Sequence, residues 1–522
     1  MADILNAHAQ NFGDRLAVID DRPDGALHQI TYAELDRYTN KLGNLLISQG
    51  VSAGDRVVWC GQNSIGVVSI ISACRKVGAT AVPLNYRLSD DEAAYVIDHC
   101  DAEIVYIDAD FAPLLERVRS EVPNIRSVLV FDGTPPSSDP WYVNVDDRID
   151  EMSADSPPDI PPEATGGATM IYTSGTTGKP KGAYRTRPGS PEQQRAMLEH
   201  IGYRADDTYL TTGPLYHSGP SSFMNIGISM AQTIVVQRKF NAEDWLRLVD
   251  KYRCSSTFSA PTPIRMICNL PDETISKYDV SCMRVMIANA APWSFALKQQ
   301  YLDYFPSESL FEVYGSTELG VNTVLRPEDQ LRKPGSCGKP SPMVEIRLYD
   351  EDGNIVEGTG PEHTGELYVR SPAVFNDYYK QNEKFLEDHR DGFQTVGDIA
   401  YIDDEGFIYI CDRKKDMIIS GGMNIYPAEI EAALEQHPGV LEAAVFGIPS
   451  EDWGEIVHAV VVRNGNHEVD EQLLDEHARA HLASYKIPRS ISWSNELPKT
   501  GSGKILKREL RQPYWDQFNS AI

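Results

Sequence analysis

The stretch Thr173 to Gly182 reads TSGTTGKPKG, in which the hydroxyls of Thr173, Ser174, Thr176 and Thr177 and the cations Lys179 and Lys181 surround Gly175, Gly178 and Gly182. Hydroxyls, bare backbone amides and ammonium groups set this closely can cradle phosphate oxygens. The pattern is not the GxxxxGK[ST] loop of the common nucleotidases, because Lys179 is followed by Pro180. A flexible polar loop can have the same composition, so the rest of the chain has to decide.

Further along, Tyr314 to Glu318 reads YGSTE, Phe393 to Asp398 reads FQTVGD, Asp412 to Glu429 reads DRKKDMIISGGMNIYPAE, and Pro498 to Lys504 reads PKTGSGK. Together with the first stretch, in this order and rough spacing, these resemble the adenylate-forming (AMP-binding) superfamily along nearly the whole chain. That superfamily includes acyl-CoA and aryl-CoA synthetases, beetle luciferases and the adenylation domains of peptide synthetases. The resemblance is strongest to the acyl-CoA synthetase branch.

The resemblance implies a role for each stretch. The glycine-rich loop would bind the β and γ phosphates of ATP. Tyr314 would pack on the adenine, Thr317 would contact the α-phosphate, and Glu318 would hold a magnesium ion, a hard cation suited to oxygen ligands. Asn289, Ala290, Ala291, Glu312 and Gly315 would border the nucleotide, Asp398 would accept hydrogen bonds from the ribose hydroxyls, and Arg413 would support ribose and phosphate. Lys504, on a glycine-flanked loop, would contact the acyl carboxylate and the α-phosphate together, where positive charge lowers the barrier to an anion attacking an anion. Lys415 stands at the hinge position, about which a small second domain would swing between two half-reactions. Ser420, Gly421 and Gly422 would line the tunnel for the pantetheine arm of coenzyme A, and His217, in PLYHSGP, would gate the acyl pocket. At Asn289 to Trp293, NAAPW replaces the glycine that many relatives carry first, so the extra amide and the indole are expected to alter the pocket's shape.

Positioning these groups falls to an α/β framework. From Thr31 to Gly50, Leu35, Tyr38, Leu42, Leu45 and Leu46 fall on one helical face, with Gly50 placed to end it. Short apolar strands are expected at Val57 to Trp59, Ala79 to Leu84, Ile104 to Ile107 and Ser127 to Phe131, with a core helix after Ile65. Such alternation predicts a large N-terminal domain with buried sheets. The proline-rich run from Asp150 to Gly167 reads as a surface loop leading into a strand at Thr169 to Tyr172. Past DRKKD, a strand at Met417 to Ser420, a helix from Pro427 to about Gln436, and strands at Leu441 to Phe446 and His458 to Val462 predict a small, mobile α+β C-terminal domain. The expected division is 1–412 and 413–522.

Bulk properties narrow the function. The 522 residues carry a formal charge of −28, which disfavours general binding to nucleic acid or an anionic membrane. No run is apolar enough to span a bilayer, and the N-terminus lacks the basic start of a secretion signal, so a cytoplasmic protein is expected. Eight cysteines without a C-x-x-C pair argue against zinc or a disulfide framework. The expected partners are ATP, coenzyme A and a small carboxylic acid, and homo-oligomerisation stays open. No acid near His217 is available to meet an α-amino group, which disfavours amino-acid substrates. The expected reaction is formation of an acyl-adenylate from an apolar acid, fatty or steroid-like, and then of its CoA thioester. An aryl-acid ligase, a luciferase-like adenylating oxygenase and an inactive adenylate-binding regulator are the alternatives.

Overall fold

The computed structural model describes the chain apart from residues 1–2, 161–168, 174–179, 186–189, 292, 422, 451, 466, 500–504 and 522, and the side chains of 518–521. Two large sheets form the first part. The strands Thr80–Pro83, Arg56–Cys60, Ile104–Asp108 and Ser127–Phe131 run parallel at the centre of an eight-stranded sheet, with Tyr142–Asn144 parallel at one edge and Thr169–Thr173, Lys181–Arg185 and Asp377–Tyr378 on the other side. Their near-continuous burial is what parallel strands covered on both faces require. The second sheet has nine strands, with Val285–Ala288, Ser256–Ser259, Thr208–Thr211 and Thr233–Val236 parallel at its centre.

The expected helices form where their signals lie. Tyr32–Ser48 starts at a capping box, Thr31 accepting from the Glu34 amide while Glu34 accepts from the Thr31 amide. It buries Leu35, Leu42, Leu45 and Leu46 completely. Ile65–Val77 is capped by Ser64 and stops at Gly78 in the left-handed region.

Two smaller sheets follow. Glu345–Tyr349, Gly365–Arg370, Phe393–Ile402 and Ile408–Arg413 form an antiparallel meander, of which the sequence resolves only the last strand, expected to end near Cys411. The last sheet joins Met423–Ile425, Ile418–Ser420, Gly454–Arg463 and Val440–Ser450, with Ser490–Ser494 parallel to Gly454–Arg463. The helix Pro427–Leu434 packs on it, and Ile418, Ile425, Ile430 and Leu434 are sealed in its core. The strand Ile408–Arg413 carries Arg413 within the ladder of the meander, past the expected division at 412, and the turn at Lys414, Lys415 and Asp416 leads into the small sheet.

The eight cysteines are free, and all but Cys282 and Cys411 are buried. Among the described residues no helix is long and apolar enough to cross a membrane.

Candidate active site

Asp398 and Arg413 are direct partners across two antiparallel strands, so their side chains leave the same face together. Arg413 Nε lies 2.6 Å from Asp398 Oδ1, and the Tyr314 hydroxyl donates to Asp398 Oδ2 at 2.5 Å. Asp398 is 4% exposed. Burial opposes the charge on Arg413, yet Asp398 and the further acidic groups around it, Glu318 and Asp416 among them, together outweigh that and raise its pKa. Burial, reinforced by Asp398, pushes the Tyr314 phenol well above its usual value and keeps it a donor. A ribose bound at Asp398 would exchange its own hydroxyls for that of Tyr314, an exchange of one donor for others that leaves the buried carboxylate satisfied.

Tyr314 lies near the end of one arm of a hairpin, Leu310–Ser316 with Gly320–Leu325, and Thr317 and Glu318 occupy its turn. A Cβ on Gly315 would sit 2.1 Å from the Gly320 carbonyl oxygen, so the close approach of the two arms demands glycine. Glu318 is 8% exposed, and its Oε1 accepts from Thr173 Oγ1 at 3.1 Å and from the Tyr378 hydroxyl at 3.2 Å. Thr317 shares a 2.7 Å hydrogen bond with Ser218, and its carbonyl accepts from Arg185 at 3.2 Å.

Thr173 and Lys181 pair across adjacent strands, which fixes both ends of the glycine-rich stretch side by side. Ser174, Gly175, Thr176, Thr177, Gly178 and Lys179 lie outside the described residues, as do Gly422 and Lys504. Lys181 Nζ stands 5.3 Å from the Tyr378 ring centroid, the ring whose hydroxyl reaches Glu318. Lys499 and Leu506, on either side of residues 500–504, line the same cleft as Asp398, Arg413, Thr317 and Glu318.

That cleft has a volume of 3360 Å³, several times the roughly 300–1,000 Å³ of a pocket for one small ligand. His217, Gly219, Phe223, Phe258 and Met266 form a second part of its wall. His217 precedes the helix Ser218–Ser229 and packs on Tyr216, ring centroids 4.5 Å apart. Asn289, Ala290, Ala291, Gly315 and Lys415 also line the cleft. Asn289 Nδ2 donates to the Val313 carbonyl at 2.5 Å, and Ala290 is held at φ 72, a left-handed conformation that costs a non-glycine residue about 1–2 kcal/mol. Burial lowers the pKa of Lys415.

Other expected residues are placed differently. Glu312 touches the cleft, but its carboxylate is engaged by Lys298, which is 2% exposed. Burial raises the pKa of Glu312 against the pull of Lys298. Leaving either partner alone would strand a buried charge, so the pair is a structural support for the hairpin and not a free ligand group. Trp293 points away from the cleft into the core, 6.0 Å from Tyr301, so the indole does not shape the pocket. Ser420 and Gly421 are not brought to the cleft. They sit in the small sheet, where the Gly421 amide bonds the Trp453 carbonyl and a Cβ would meet the Trp453 ring at 2.7 Å.

Arg185, Tyr378 and Ser218 are site residues that the sequence reading missed. Arg185 shares a strand face with Lys181 by its period of two, a signal that could have found it. Burial lowers its pKa, opposed by Glu318. Tyr378 lies 60 residues from Glu318, in no motif, and carried no such signal.

A buried carboxylate braced by an arginine, a second carboxylate in a hairpin turn and the paired strands at Thr173 and Lys181 form a candidate nucleotide site. Residues 5–379 match the AMP-binding enzyme family, and residues 429–504 match the AMP-binding enzyme C-terminal domain. The chain belongs to that family, as an enzyme of its AMP-forming carboxylic acid–CoA ligases. It is 31% identical to a long-chain-fatty-acid–CoA ligase of Mycobacterium tuberculosis, over 93% of each chain. A feruloyl-CoA synthase of an Amycolatopsis species is 33% identical, over 93% of this chain and 94% of that one. Among solved structures, ATP-bound MatB from Rhodopseudomonas palustris superimposes with a TM-score of 0.85 at 28% identity, covering 99% of this chain and 100% of that one.

Proposed function

We propose that the protein joins ATP and an apolar carboxylic acid of medium or larger size, fatty or steroid-like, into an acyl-adenylate, and then passes the acyl group to coenzyme A. The observation that carries this is the 2.7 Å contact between Thr317 and Ser218. It sets the hairpin of the nucleotide site directly against the helix that opens the His217, Phe223 and Phe258 wall. In the first step a carboxylate oxygen bonds to the α-phosphorus and pyrophosphate leaves. In the second the CoA sulfur bonds to the acyl carbon and AMP leaves.

Asp398 and Arg413 hold the ribose, Thr317 meets the α-phosphate, and Lys504 brings positive charge to both reacting anions. Glu318 fits a magnesium ion bound through one carboxylate plus substrate phosphates: Thr173 and Tyr378 orient one of its oxygens. Among the described residues there is no group of three or more metal-binding side chains, in keeping with a cation that arrives with ATP. That ion, when bound, neutralises phosphate charge. Ser420, Gly421 and Gly422 receive the pantetheine arm when the small domain turns about Lys415. Such a reaction belongs in the cytoplasm, where ATP and coenzyme A are abundant.

The Phe223 and Phe258 rings, stacked 5.4 Å apart on the cleft wall, favour an aryl acid as the second reading. A pyrophosphate-release screen over fatty, steroid, aryl, acetic and amino acids, with and without coenzyme A, tests both. Turnover with apolar acids and a thioester product are expected. Release of AMP only with acetate or an amino acid would overturn the proposal.

A further inference from the structure

The structure joins the two domains through a charged contact that includes one motif residue, Lys499. Lys499 Nζ lies 2.6 and 2.7 Å from the two carboxylate oxygens of Glu442, which belongs to the strand Val440–Ser450 of the small domain. Lys499 and Ile505 form an antiparallel bridge, and the Leu506 amide bonds the Pro498 carbonyl, so the chain enters and leaves residues 500–504 at one point. Glu442 also meets a residue of the large domain, because Arg265 Nη1 lies 3.5 Å from its Oε1. Arg265 sits on the helix Pro261–Cys268, whose Thr262, Pro263 and Met266 line the cleft. The three side chains are 23%, 16% and 27% exposed for Arg265, Glu442 and Lys499, which limits screening by salt.

We propose that Glu442 is a positioning residue for acyl-adenylate formation: it holds the root of the 500–504 stretch through Lys499 and ties that root, through Arg265, to the helix on the cleft wall. The proposal rests on the reading of Lys504 as the lysine of the first half-reaction. Removing the charge of Glu442 leaves Lys499 and Arg265 to repel each other, so the root loses its fixed place over the cleft. Thioester formation presents the other face of the small domain and does not use this contact.

The test separates the half-reactions. Glu442→Gln is expected to slow pyrophosphate release in single turnover about 10- to 100-fold, the range for a lost charge-assisted contact, with the KM for ATP within about twofold of the parent. Thioester formation from supplied acyl-adenylate should also stay within about twofold, and Glu442→Asp should recover most of the loss. Arg265→Met should lose less, about 5- to 10-fold, and the double variant should be no slower than Glu442→Gln alone, because both act through one group. Equal loss in both half-reactions, or no loss in the first, overturns the proposal. If Glu442→Gln does not fold, Arg265→Met carries the same test from the other domain. Lys504→Ala is the control: selective loss there with a neutral Glu442→Gln sinks this inference alone, whereas an unselective Lys504→Ala sinks the reading beneath it.

Discussion

The nucleotide and acyl parts of the cleft are held in different ways. Around Asp398 and Glu318, every carboxylate oxygen contact described is a directed bond, from Arg413, Tyr314, Thr173 or Tyr378. Around Phe258, position is set by shape: Phe223 stacks on the ring and Gly219 leaves room for it. Directed bonds need particular residue types at particular places, so the first part can be common to a family whose acids differ. Packing tolerates exchange of apolar residues of similar volume, so the second part is where substrate choice can drift. The relatives fit this division, being named for fatty, feruloyl, indoleacetate and succinylbenzoate substrates at similar identity.

Lys504→Ala should give the largest effect, a loss of about 10³-fold in adenylate formation, on the scale of removing a group that meets developing charge. Thioester formation from supplied acyl-adenylate should persist. Stopped-flow pyrophosphate release against thioester appearance measures the split, and equal loss in both would break the two-face scheme. Asp398→Ala should follow, lowering kcat/KM for ATP about 100-fold, since it leaves Arg413 and Tyr314 without their shared partner as well as removing the proposed ribose contact. The KM for the acid should hardly change. A matching rise in the KM for the acid would show that the two parts are not independent.

The same division explains what could be read from the sequence. The helix Tyr32–Ser48 was legible because Thr31 and its leucine spacing are local signals, and Ile104–Asp108 and Ser127–Phe131 because each carries a run of four apolar residues. The meander of Glu345–Tyr349, Gly365–Arg370 and Phe393–Ile402 was not, since the first alternates over only four residues and the other two break alternation with glycine or adjacent apolar residues. Tyr314, Thr317, Glu318, Asp398 and Arg413 were legible through motif residues, and the structure sets them on one cleft. Tyr378 and the Lys298 partner of Glu312 were not, because each contact is made by folding and leaves no spacing to find. The acyl wall was the least legible, for Gly219 reads as a turn residue until Phe258 is seen beside it.

Gly219→Ala probes that wall. The added methyl would lie 2.3 Å from Phe258 Cζ, and Phe258 is 3% exposed, so the ring or the helix has to move. Overpacking of this kind costs about 1–3 kcal/mol. The kcat/KM for the bulkiest accepted acid should fall about tenfold, with a smaller loss for short acids and no change in the KM for ATP. A uniform fall across all acids would mean that the wall supports the fold and does not select the substrate.

The smallest effect concerns a buried acid of the small domain that faces Arg265 on the cleft-wall helix. Glu435 has its pKa raised to about 7, chiefly by burial, with Arg265 and the Ala443 amide pulling it down and Glu431 and Glu442 pushing it up. In the folded chain it keeps its proton up to about 7, and in the unfolded chain it would lose it near the ordinary 4.5. Between those values the folded form holds the extra proton, so stability falls as pH rises through that window, by at most about 1.4 kcal/mol per pH unit. Glu435→Gln should remove this slope, and the thermal midpoint of the full chain should then stay level from pH 5 to 7 where the parent's declines. A slope that survived in the variant would assign the titration to another group.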